Sequence, residues 1–360
     1  MKLGARILKT GIAIILALFL SQLLNLPAPV FAGIAAIFAI QPTIYRSYLS
    51  ILEQLQANLI GAAVAIIFVL VFGNQIFIVG LAAVIVIIIN LKLNSGNTII
   101  LSLVTVIAIM ENQDGEFLQF ALIRFFTIML GILSAFIVNL VFLPPKYETK
   151  LYHKISTVAE DVFKWIRIST RHASDHSLLK NDVIRLKEQV IKLEQLYLMF
   201  KEEREYFKKD SYAKSRKLVV YRQMISTLKR SLDVLRRLNR FENEFHLMPS
   251  EFQMQIQEQL DCLVFQHEQL LLKFIGKIKT TVDYHESTTV SKKELLDMFL
   301  KQQDCLNEEH EACLYHMMPL VAAIIEYEED IEHLYKLVNS FQNYHKDENE
   351  VSIPTSRVDE

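Results

Sequence analysis

Between Ile7 and Leu143 the chain passes through six apolar segments, roughly 7–26, 28–45, 55–73, 75–91, 97–112 and 117–143, with only short polar breaks between them. No other feature narrows the possible folds as much. A water-soluble core has no use for so much uninterrupted apolar sequence, whereas a bilayer demands it. In hydrocarbon every backbone N–H and C=O must find a partner within the chain, so the segments are helices or the strands of a closed barrel. The run at 81–89, Leu-Ala-Ala-Val-Ile-Val-Ile-Ile-Ile, lacks the alternation of a barrel strand. The sequence therefore predicts an all-α protein whose first part, 1–145, is a membrane domain of six transmembrane helices, with the lipid bilayer as its first partner.

Charge supports the split. Of 38 Lys and Arg and 40 Asp and Glu, residues 1–145 carry six bases (Lys2, Arg6, Lys9, Arg46, Lys92, Arg124) and four acids (Glu53, Glu111, Asp114, Glu116). The other 32 bases and 36 acids lie in 146–360. With the N-terminus placed inside, the inner connections hold Lys2, Arg6, Lys9, Arg46, Lys92 and Lys146, and the outer ones hold no Lys or Arg. This positive-inside pattern predicts a multi-pass cell-membrane protein with both termini cytoplasmic. The basic start, the apolar stretch and Val30-Phe31-Ala32 also resemble a signal peptide with its cleavage site, but the segment fits equally well as a first transmembrane helix. A formal net charge of −2 gives no reason to expect nucleic acid. Three cysteines, Cys262, Cys305 and Cys313, are odd in number, widely spaced and confined to the charged part. They suit a reducing compartment rather than a disulfide framework.

The charged part, 146–345, reads as an antiparallel helical bundle. Val183, Leu186, Val190, Leu193, Tyr197 and Phe200 keep a heptad seam. So do Leu218, Tyr221, Ile225, Leu228, Leu232 and Leu235, and later Ile331, Leu334, Val338 and Phe341. Pro249 opens one helix, a capping box from Ser291 to Glu294 opens another, and Pro319 falls inside the last. Residues 346–360 read as a disordered tail.

The membrane part carries a faint repeat. Shifted by 70 residues, Gln54 falls on Arg124, Gly61 on Gly131, Ala65 on Ala135 and Gln41 on Glu111. Three helices per copy is an odd number, so the copies are expected to be inverted, a plan common among transporters. The second helix of each copy is short, ending at Gln41-Pro42-Thr43 or Glu111-Asn112-Gln113. Such paired short helices point to a binding site near their ends, although polar residues also end ordinary helices at the water interface.

Arg124 is the leading candidate for function. It lies on the order of 10 Å below the outer end of its helix, and an intramembrane Arg usually faces a pathway or an acidic partner. Its planar fork suits a carboxylate. Glu111 is the candidate partner or proton-coupling group, with interfacial exposure as the alternative. Gln41 and Gln54 complete the expected substrate pathway, Gln54 with Glu53, Gln56 and Asn58 near the inner start of the third helix. Gly61 and Gly131 suit close helix packing, and Asn139 suits a bond to another helix. Cys305, Glu309, Cys313 and His316 share a helix face, but one helix makes a poor zinc site, so no metal and no cofactor are expected. No Walker loop, GxGxxG, HExxH or nucleophile elbow occurs, which argues against an ATP-driven pump or an enzyme.

Gln41-Pro42-Thr43, Gln54 through Gly61, and Arg124 through Gly131 to Asn139 and Pro144-Pro145-Lys146 resemble the aromatic acid exporter family of the fusaric-acid-resistance-like superfamily. The nearest branch has six membrane helices and a C-terminal helical domain. The resemblance implies permeation or export of small organic anions, often aromatic carboxylates, through two membrane halves around a pathway. Larger relatives fuse two such units and plant malate channels pair them, so a homodimer is implied here, with the cytoplasmic bundles helping to pair. The family's basic pathway residue carries over to Arg124 and its packing glycines to Gly61 and Gly131. Where the family often has Arg, this sequence has Gln54. The expected function is secondary or passive transport of such anions, with a membrane-anchored scaffold or sensor, or an anion channel, as alternatives.

Overall fold

Gln41-Pro42 cuts the second apolar segment short, and the chain resumes as one of its longest helices. The first unit of the protein, Met1–Pro145, contains α1 (Ala5–Leu23), α2 (Val30–Ala39), α3 (Ile44–Phe72), α4 (Ile76–Lys92), α5 (Ile99–Met110) and α6 (Phe117–Val141). The computed structural model describes residues 5–41, 44–73, 75–93, 95–111, 117–141, 147–171, 176–206, 211–278, 294–297, 299–300 and 308–345. Every regular element among them is helical.

Against six expected spans, two helical stretches are long and apolar enough to cross a membrane, Arg46–Phe72 and Gln119–Val141. The other apolar helices have 10–17 residues. At 1.5 Å per residue, α2 and α5 reach only about 15–18 Å, well short of a hydrocarbon core of about 30 Å. The third segment starts earlier than 55–73, because nothing between Tyr45 and Gln54 breaks a helix. Glu53, Gln54, Gln56 and Asn58 therefore sit about two and a half to four turns inside α3 rather than at its start.

Small residues let these helices approach. The buried face of α2 is Ala32, Gly33, Ala35, Ala36 and Ala39. It packs on α6, and α1 packs on both. Likewise α5 packs on α3, and α4 packs on both. The two long helices α3 and α6 also touch. Buried polar side chains join helices within the oil. Ser102 Oγ donates to the Ala57 carbonyl at 2.9 Å, and Thr105 Oγ1 donates to Asn58 Oδ1 at 3.0 Å.

The second unit, Lys146–Glu360, contains α7 (Tyr147–Thr170), α8 (His176–Tyr206), α9 (Ser211–Arg240), α10 (Glu242–Leu247), α11 (Ser250–Phe274) and α12 (Glu308–His345). Pro249 precedes α11, and Pro319 lies within α12. Helix α9 packs on α7, α8 and α12, and α11 packs on α7 and α12. The heptad residues form the core: Leu186, Leu193, Tyr221, Leu228, Leu235, Ile331, Leu334 and Val338 are fully buried, and Val183, Tyr197 and Leu218 pack against it. Rings cluster at its centre, with Tyr221 against Phe200 and Phe274, and Phe274 against Phe341. A buried ion pair joins Lys217 Nζ to Glu148 Oε1 at 3.1 Å, with Tyr221 donating its hydroxyl to the same carboxylate. Ser291 and the tail at 346–360 lie outside the described residues.

Candidate functional site

Arg124 sits two turns into α6 on the side facing α2 and is 4% exposed. Its guanidinium carbon lies 3.0 Å from the centre of the Phe31 ring. Among the described residues, Nε and Nη2 have no hydrogen-bond partner. These two N–H groups form one edge of the fork, the edge that takes a carboxylate side-on in a bidentate pair. Pro27, Phe31, Phe120, Ile123 and Thr127 line the pocket beside the cation, whose free space is about 10 Å³, room for no more than about one water. Glu111 is close enough to act on this cation through its charge but makes no hydrogen bond to it, and a buried cation so weakly compensated is costly and in a membrane usually marks a ligand or ion pathway.

Glu111 follows the last residue of α5 and is exposed. No ion pair joins it to Arg124 among the described residues, and Glu116 lies outside them. The two are therefore not brought together as hydrogen-bonded partners.

Gln41 and Gln54 are brought together. Both line a cleft of about 450 Å³ with Arg46, Ser50, Glu53 and Thr98. Gln54 is 2% exposed; its Nε2 donates to Ser50 Oγ at 2.8 Å, and its Oε1 has no partner. This cleft and the Arg124 chamber share no lining residue.

Asn139 is a buried tie. Its Oδ1 accepts from Lys9 Nζ of α1 at 3.0 Å, and its Nδ2 donates to Ser47 Oγ of α3 at 3.0 Å and to the Gln41 carbonyl at 3.2 Å. Gly61 and Gly131 mark the closest helix approaches. A methyl added to Gly61 would lie 2.8 Å from the Ser102 carbonyl oxygen, and one on Gly131 would collide with the backbone of Ala32. Any side chain there forces α3 off α5, or α6 off α2.

Sequence reading missed Phe31, which holds Arg124, and gave Lys9 only a topological role. A lysine one turn inside an apolar helix, with an asparagine in another, is the signal that pairs Lys9 with Asn139. Phe31 carries no local signal at all. Of the four residues proposed for a shared metal-binding face, Cys305 lies outside the described residues, as do the side chains of Glu309, Cys313 and His316.

Residues 1–142, all six apolar helices, match the profile of aromatic acid exporter family member 1. Residues 96–337 match that of the fusaric acid resistance protein family, about two-thirds of the chain. The chain belongs to the fusaric acid resistance protein family. Among its relatives is the UPF0421 protein YgaE of Bacillus subtilis, 55% identical over 351 residues, which cover 98% of this chain and 99% of that protein. A UPF0421 protein of Oceanobacillus iheyensis is 32% identical over 165 residues, 46% of this chain and 47% of that one. One of Bacillus cereus is 34% identical over 187 residues, 51% and 50% of the respective chains. The match to these last two therefore spans about half of their length.

Proposed function

We propose that this family member exports small aromatic carboxylates across the cell membrane, working as a homodimer by a secondary or passive mechanism. The observation that carries this reading is Arg124, a buried guanidinium with its carboxylate-binding edge unpaired and an aromatic ring stacked on its face. A benzoate-like anion matches both features. Its carboxylate pairs with Nε and Nη2, and its ring takes the place of Phe31 or lies beside it. The profile match of the same residues to an aromatic acid exporter supports the same chemistry.

In this reading all six helices of the first unit cross or enter the bilayer, as two inverted three-helix copies, with the N-terminus, the second unit and the C-terminus in the cytoplasm. The short α2 and α5 reach part-way and end beside the two pockets. Absence of a nucleotide-binding motif in the sequence supports the secondary or passive mechanism.

The test is efflux of radiolabelled benzoate from proteoliposomes. Arg124→Gln is expected to keep the wild-type melting temperature and lose flux at least about tenfold, while Arg124→Lys recovers part of it, because charge remains and the fork is gone. Unchanged flux in Arg124→Gln overturns the assignment. Loss of stability that a charge swap with Glu111 or Glu116 repairs makes Arg124 structural instead. A strictly monomeric mass in nanodiscs overturns the dimer.

A further inference from the structure

The 70-residue shift found in the sequence reappears in three independent features of the structure. Helix bounds are the first. Moved by 70, α1 at 5–23 falls on α4 at 76–92, α2 at 30–39 on α5 at 99–110, and α3 at 44–72 on α6 at 117–141. Helix partners are the second: the short helix of each half packs on the long helix of the other, α2 on α6 and α5 on α3. That exchange is the signature of a twofold axis between the halves, passing where α3 meets α6. The third is atomic. Gly61 touches Ser102 and Gly131 touches Ala32, so both members of one contact stand 70 residues from both members of the other.

The same operation carries one pocket onto the other. Of the residues that close the Arg124 chamber, Arg124 itself corresponds to Gln54, Phe31 to Leu101, Ile123 to Glu53 and Phe120 to Ser50, and all four counterparts line the Gln54 cleft. Two equivalent scaffolds nevertheless hold very different spaces. Around Arg124 the Phe31 ring is seated on the cation and about 10 Å³ remains. Around Gln54 the cleft holds about 450 Å³, enough for a small aromatic acid, and a buried amide oxygen is unpartnered. One of two equivalent positions is filled by aromatic and apolar side chains, while the other holds a cleft.

We propose that the Gln54 cleft is a second station for the same class of ligand, a small aromatic carboxylate, reached from the opposite membrane face, and that the two stations open in turn. The inference rests on reading the first unit as a membrane exporter with inverted halves. At the Gln54 station, Arg46 and Glu53 both line the cleft, one basic and one acidic. The Gln54 amide and the Ser50 hydroxyl supply hydrogen bonds; the amide, turned over, accepts from Ser50 and offers its N–H to the anion. A neutral amide in place of a guanidinium holds an anion more loosely, which suits a loading station. Phe31 is the residue that shuts the Arg124 side.

Thiol labelling tests this without measuring transport. The background is the full chain in proteoliposomes with Cys262, Cys305 and Cys313 replaced by Ser. Glu53→Cys and Ile123→Cys, equivalent positions in the two pockets, are labelled with a membrane-impermeant methanethiosulfonate applied from each side. Glu53→Cys is expected to react from one side only and Ile123→Cys to be protected. Adding Phe31→Ala is expected to expose Ile123→Cys from the other side and to slow Glu53→Cys by roughly tenfold, a population shift of that size. Benzoate is expected to slow Glu53→Cys labelling, and Gln54→Ala to remove that protection. Both sites reactive at once, or Ile123→Cys exposed with Glu53→Cys unchanged, overturns the alternation and leaves the exporter reading standing. Reciprocal labelling that is indifferent to benzoate overturns the second station and leaves the exporter reading, which rests on Arg124 and on flux, standing.

Discussion

Helices α2 and α6 meet where Gly131 lies against the backbone of Ala32, whereas α7, α9 and α11 meet through the rings of Tyr152, Tyr221 and Phe274. The contrast follows from how each unit chooses its neighbours. Helices that are apolar all round gain nothing from burying one face rather than another in oil, so fit and scattered polar ties must choose for them. Alanine, glycine and the Asn139 tie do this in the first unit. In the second, each helix has a wet face and an apolar seam, and burying the seam does the choosing. Both units bury a cation, but on different terms. Lys217 has Glu148 at 3.1 Å, whereas Arg124 has a ring on its face and no partner for Nε or Nη2 among the described residues. Lys217 and Glu148 satisfy each other, whereas one edge of the Arg124 fork carries no hydrogen bond.

The largest effect that sharpens this contrast is expected at Gly131. Gly131→Leu should leave no folded first unit, because the obstacle is the Ala32 backbone, which cannot rotate away. Gly80→Ala, with open space around the added methyl, should stay within about 0.5 kcal/mol of wild type. Melting curves in detergent read both, and a wild-type curve for Gly131→Leu would break the fit argument.

Next comes the buried pair. Lys217→Met should cost about 3–5 kcal/mol by stranding Glu148, and the double variant Lys217→Met with Glu148→Leu should regain most of it. Denaturant titration of the full chain in detergent, followed by helical signal, measures this. Equal losses in the single and double variants would remove the pair from the core's energetics.

A smaller effect depends on pH. His267 is fully buried, with Nδ1 3.0 Å from the Tyr327 hydroxyl, and burial pushes its pKa from 6.5 down to about 3. The unfolded chain binds a proton at this ring near pH 6.5, and the folded chain does not until about pH 3. Stability is therefore full above pH 6.5 and falls as pH drops between those values, by about 2 kcal/mol at pH 5. His267→Phe should flatten that part of the profile, and an unaltered slope would assign it to other groups.

The smallest effect is expected at the polar tie. Ser47→Ala, which removes one bond of the tie and leaves Lys9 on Asn139, should lower stability by about 0.6–2 kcal/mol, since intramembrane hydrogen bonds are worth little more. A loss no smaller than that of Gly131→Leu would show polar ties, rather than fit, choosing the neighbours in the first unit.

Much of this was legible in the residues. The oily and charged parts, the seams at Leu186–Phe200 and Tyr221–Leu235, and the special character of Gly61, Gly131 and Arg124 all follow from local composition and spacing. Helix ends were legible only where a breaker stands: Pro42 stops α2, but no residue announces that α3 begins at Ile44 rather than ten residues later. Capping and propensity decide such ends by small energies that packing overrides.

What the sequence determined by itself is therefore whatever depends on neighbours in the chain: which stretches are apolar, which faces are amphipathic, and which residue lies 70 positions from which. What only the tertiary structure decided is who meets whom across many residues: Phe31 on Arg124, Lys9 with Asn139, and about 10 Å³ of space at one of two matched positions against about 450 Å³ at the other. The reason is physical. Periodicity and hydropathy act over a few residues, but a cation finds its ring, and a cleft its volume, only after helices distant in sequence have packed. Small differences in side-chain fit then decide which contacts close.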